Sequence, residues 1–157
     1  MKEKSKYFVG LITLLIGLIL FTIFSIIFCV INSSLVPQDK SIEHALAFGY
    51  LFIHLIIVMA VLYLALKSYF VKDSLLSVIM TLENGKRNDY AYRNALIISI
   101  VFSLIGIYFF LNAFGIIHVM SFFSLGLNVA LCNVNLSIGL VALYVYFYKP
   151  AEVKNSD

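Results

Sequence analysis

Four uninterrupted apolar stretches divide the chain, at 7–31, 45–66, 94–115 and 119–148, and none of them holds an Asp, Glu, Lys or Arg. Charged residues are gathered at the two ends and in the segments between the stretches. A hydrocarbon core of about 30 Å calls for about 20 residues at 1.5 Å each, so every stretch is long enough to cross a bilayer as a helix. Barrel strands would alternate apolar and polar over about 10 residues. These runs are apolar all round, and helices satisfy their own backbone groups in lipid. The pattern predicts an all-α, four-helix transmembrane bundle forming a single membrane domain over residues 1–157.

The connection at 67–93 has a pattern of its own. Ser74, Ser77, Thr81 and Asn84 share one helical face, while Leu75, Leu76, Ile79, Met80 and Leu82 occupy the rest. A short amphipathic cytoplasmic helix is expected there, between helices two and three, stopped by Asn84-Gly85. Asn88 or Asp89 then caps the third spanning helix. The turn between helices three and four is short, from Gly115 to His118, which makes those helices antiparallel neighbours.

Composition agrees with the pattern: 62% of the 157 residues are hydrophobic, 12% are charged and the mean hydropathy is +1.02, where soluble domains carry about 25% charged residues. The net charge of +3 is not a nucleic-acid signal, because its distribution reports topology. Ten of the eleven basic residues fall on one face if the chain crosses four times, and Lys40 alone falls on the other. By the positive-inside rule that face, with the N- and C-termini, is cytoplasmic. Lys2, Lys4 and Lys6 ahead of the first run mimic a signal peptide, but 25 apolar residues exceed the roughly 7–15 of a signal core, so the run is read as a retained span. The wealth of Ile, Leu, Phe, Asn and Lys, with no Trp, suggests a bacterial cell membrane as the location.

Inside the membrane zone, polar residues are the candidates for function. Helix four carries a stripe of Ser121, Ser124, Asn128, Cys132, Asn135, Gly139 and Ala142, with Asn133 about 100° away from Cys132. His54 is the imidazole nearest the middle of a span. It reads either as a neutral histidine donating to an Asn or a backbone carbonyl, or as a relay with Asn133 or Asn135. Gly10 and Gly17 on helix one and Ser99, Ser103 and Gly106 on helix three, with Gly139 on helix four, are expected to let helices approach closely. Cys29 and Cys132 stand apart, without ligand spacing, and read as packing residues or, less simply, as a disulfide.

Four-span proteins of known chemistry need residues that this chain lacks. Lipoprotein signal peptidases, similar in length and topology, use paired membrane aspartates; small multidrug exporters use a membrane glutamate. Quinone-linked disulfide-forming enzymes need cysteine pairs, and haem bundles need two axial histidines. No catalytic residue, cofactor or metal site is therefore expected. The sequence reads as a non-enzymatic accessory or immunity-type subunit that binds another membrane protein, or itself as a homo-oligomer, within the lipid bilayer. The alternative is a small oligomeric channel or transporter with a polar path along helix four and His54.

Overall fold

The computed structural model describes residues 2–35, 41–70, 88–114 and 125–147, and all four segments are helical: α1 (Lys2–Leu35), α2 (Ser41–Phe70), α3 (Asp89–Ala113) and α4 (Leu125–Phe147). Each contains a stretch long and apolar enough to cross a membrane, namely Val9–Phe28, Ala45–Lys67, Asp89–Ala113 and Leu125–Phe147. The chain is thus a multi-pass helical membrane protein. The amphipathic segment expected at 74–84 and the turn at Gly115 to His118 lie outside the described residues, as do Ser121 and Ser124.

α1 and α2 overrun their apolar stretches at both ends and α3 does so at its start, because a helix continues as long as its backbone bonds do, past the edge of the hydrocarbon. α3 begins at Asp89, where the Asn88 side chain accepts a hydrogen bond from the Ala91 amide at 3.2 Å. That cap satisfies one of the free first-turn donors, and Asp89 sits where the helix dipole favours an anion. At the boundaries of α2 and α3, Lys67 lies 5.9 Å from the Tyr63 ring and Arg93 lies 5.7 Å from the Tyr90 ring. Paired aromatic and basic side chains of this kind suit a headgroup zone.

Lipid tails are as apolar as leucine, so apolar surface alone does not drive these helices together; close packing and hydrogen bonds do. α4 is the hub. It packs against all three other helices, α1 and α2 also pack on each other, and α3 joins the bundle chiefly through α4. Accordingly α4 buries the largest share of its span, 39%, against 28% for α1 and α2 and 17% for α3. Leu11, Leu15 and Leu18 of α1 meet Val61 and Ala65 of α2, with Val141 and Tyr144 of α4 against them. Ala47 of α2 meets Leu127 and Ala130 of α4 nearer the other surface. Tyr92 of α3 packs on Tyr144, Val145 and Tyr146 at the end of α4.

Candidate functional site

Three helices converge on His54, whose side chain is wholly buried. From α1, Thr22 Oγ1 lies 2.7 Å from His54 Nε2, and the Leu18 carbonyl lies 3.1 Å from the same nitrogen. From α4, Ser137 Oγ lies 3.0 Å from His54 Nδ1. The directions of these bonds follow from what each group can do. A carbonyl only accepts, so Nε2 carries a proton. Thr22 donates its own proton to the Leu18 carbonyl one turn back, at 2.9 Å, leaving its oxygen free to accept from Nε2–H.

Ser137 completes the ring's partners. Its hydroxyl donates to the Asn133 carbonyl at 2.7 Å and, with Nε2 carrying the ring's one proton, Nδ1 of the neutral imidazole shares that same hydroxyl proton at 3.0 Å as a second acceptor. One turn along α4, Asn133 Nδ2 donates to Ser25 Oγ at 2.8 Å and to the Phe21 carbonyl at 3.2 Å, both on α1. The result is one polar node joining α1, α2 and α4. Thr22, Ser25, Asn133 and Ser137 are all buried around it. Every directed bond of the node runs between protein groups, which is how polar atoms are accommodated in a medium without water.

The other expected residues fall elsewhere. Asn128 is buried near the far end of α4 and accepts from Asn112 Nδ2 of α3 at 2.9 Å. Asn135 is half-buried and turns its amide back to the Leu131 carbonyl of its own helix, at 2.7 Å. Asn135 therefore forms no part of the node, and its place in the stripe did not reveal that. His54 meets neither asparagine side chain directly; the link to Asn133 runs through Ser137 and the backbone. Cys132 is a free, buried thiol, which removes the disulfide reading for it, while the Cys29 side chain lies outside the described ones.

The small residues separate into two groups. Ser99, Ser103 and Gly106 of α3 face Leu136 and Gly139 of α4: a Cβ added at Gly106 would lie 2.7 Å from Leu136 Cγ, and one at Gly139 would lie 3.1 Å from the Ser103 backbone nitrogen. Gly10 sits against the Tyr144 ring, with 3.4 Å left for an added Cβ. Gly17 has open space around it and is not a point of close approach. Among the searched residues, no group of three or more His, Cys, Asp or Glu side chains is placed to hold a metal.

Sequence periodicity passes over Ser137 and Asn112, and it gives Thr22 and Ser25 only a weak polar edge on α1. A signal for Ser137 exists, since it lies four residues beyond Asn133 and so on the same helical face. The geometry defines a class, a four-helix membrane bundle clasped by a buried histidine node. No protein-family model, characterised protein or solved structure matches the chain.

Proposed function

We propose that this chain is a non-enzymatic membrane subunit that works by binding another membrane protein, seated in the cell membrane with its basic face and both termini in the cytoplasm. The observation that carries this reading is the closure of the His54 node. Both ring nitrogens and both Asn133 amide protons are engaged by neighbouring helices, so the polar groups are used to hold α1, α2 and α4 in register. A transport path would instead present such groups to water or to a solute. With its interior committed to holding shape, the molecule acts through its surfaces. The segments at 32–44 and 74–84 are the elements that face a partner in this reading.

A paired experiment on the full chain tests it. Pure protein in liposomes is expected to move protons and monovalent cations no faster than empty vesicles do. In cells, a tagged copy is expected to retain a specific membrane protein, and to lose it when Ser74, Ser77 and Thr81 are replaced by Lys. A solute flux in the liposomes that disappears with His54→Gln or Asn135→Leu overturns the reading in favour of a transporter.

A further inference from the structure

On the side of α4 away from α2, a cavity of about 260 Å³ opens between α1 and α3. Its floor is formed by Val129, Cys132, Asn133 and Leu136 of α4, all buried or half-buried. Its rim is formed by Phe24 of α1 and by Phe110 and Phe114 of α3, which are 45%, 45% and 50% exposed. The cavity therefore reaches the outer surface of the bundle. It does so within the spanning stretches of α1 and α4, where the surrounding medium is hydrocarbon.

Two independent attachments hold the gap open. α3 is fixed to α4 by the close contacts at Gly106 and Gly139 and by the Asn112 to Asn128 bond. α1 is fixed to α4 by Asn133, whose amide protons go to Ser25 and to the Phe21 carbonyl. Closing the gap would break one set or the other. Water is a poor occupant, because a buried water needs two to four polar partners and the two polar side chains on the lining, Ser25 and Asn133, are already bonded to each other. An apolar chain one carbon wide fits, in a space well above the about 150 Å³ in which an engineered apolar cavity holds benzene.

We propose that this cavity is a binding site for a single lipid acyl chain, which enters past Phe24 and Phe110 and lies against Val129, Cys132 and Leu136. The chain supplies the dispersion contacts that the lining otherwise forfeits. It needs no hydrogen-bond partner. Bound there, it acts as the missing contact between α1 and α3.

The test uses the full protein in phosphatidylcholine vesicles in which one acyl chain carries a diazirine near its end, with photolabelled residues mapped by mass spectrometry. Labelling is expected on the floor residues Val129, Cys132 and Leu136, which lipid running along the outside of the bundle does not reach. Ala113→Phe, which fills the cavity from α3, is expected to bring floor labelling down to background while the outward-facing Leu104 is labelled as before. Should that variant fail to fold, the wild-type pattern decides alone. Labels confined to exposed residues overturn the proposal, and so do crosslinks showing a second protein chain seated over the floor.

Discussion

Gly139→Leu is expected to detach α3 from α4 and to give the largest loss of stability of any single substitution in the spans. A Cβ at this position would sit 2.6 Å from Ser103 Oγ, 3.1 Å from the Ser103 backbone nitrogen and 3.3 Å from the Ser99 carbonyl. Two of those three atoms are backbone, so rotating a side chain does not relieve the clash and the helices must part. Overpacking in a close-packed interior costs about 1–3 kcal/mol and occasionally more. Here the loss belongs at the upper end, because among the described residues α3 packs substantially on α4 alone. Unfolding of the purified protein in mixed detergent checks it. Gly17→Ala and Gly49→Ala serve as controls: nothing lies within 4 Å of a Cβ added at either position, and exchanging Gly for Ala within a helix favours the helix by up to about 1 kcal/mol.

The second large effect is an asymmetry within the node. Replacing Thr22 by Val and Ser137 by Ala together leaves the imidazole in place but takes away both hydroxyls. Nδ1 then has no donor, and Nε2–H keeps only the more distant Leu18 carbonyl. A buried polar group left unsatisfied costs about 1–3 kcal/mol. His54→Leu behaves differently, because Thr22 and Ser137 retain their own carbonyl acceptors one turn back, Leu18 and Asn133. Its expected loss is the interhelical bonds, about 0.6 kcal/mol each on average. Adding His54→Leu to the Thr22→Val, Ser137→Ala pair is therefore expected to restore stability. A triple variant less stable than the double would show that the ring contributes through packing or some other contact.

The four crossings were legible in the sequence because hydrocarbon tolerates no charge and the bare runs are long. Helix ends were less so. The start of α3 was the exception: Asn88, one of the two caps expected there, lets a polar first turn form ahead of the apolar run that begins at Asn94. Hydropathy marks where lipid begins, and the hydrogen-bond ladder marks where the helix begins. His54 and Asn133 stood out as polar residues deep in spans, but their partners did not. A heptad-like stripe on α4 implies one buried face, whereas α4 touches three helices and is buried at Leu127, Ala130, Asn133 and Ser137 as well as at Asn128 and Cys132. Residues chosen from the stripe thus included Asn135, which bonds to its own helix, and left out Ser137. Which face of α1 meets which face of α4 depends on packing between distant segments, and periodicity within one segment carries no information about it.

Closure of the His54 node separates a clasp from a conduit, and the imidazole proton reports on it directly. The measurement is ¹⁵N spectroscopy of ring-labelled His54 in bilayers, with His44 and His118 replaced by Gln, followed after transfer into D₂O. A closed clasp is expected to show a neutral ring protonated at Nε2, with that proton persisting long after exposed groups have exchanged. Rapid exchange at Nε2, or a ring whose two nitrogens share the proton through water, would contradict it and place His54 on a hydrated path.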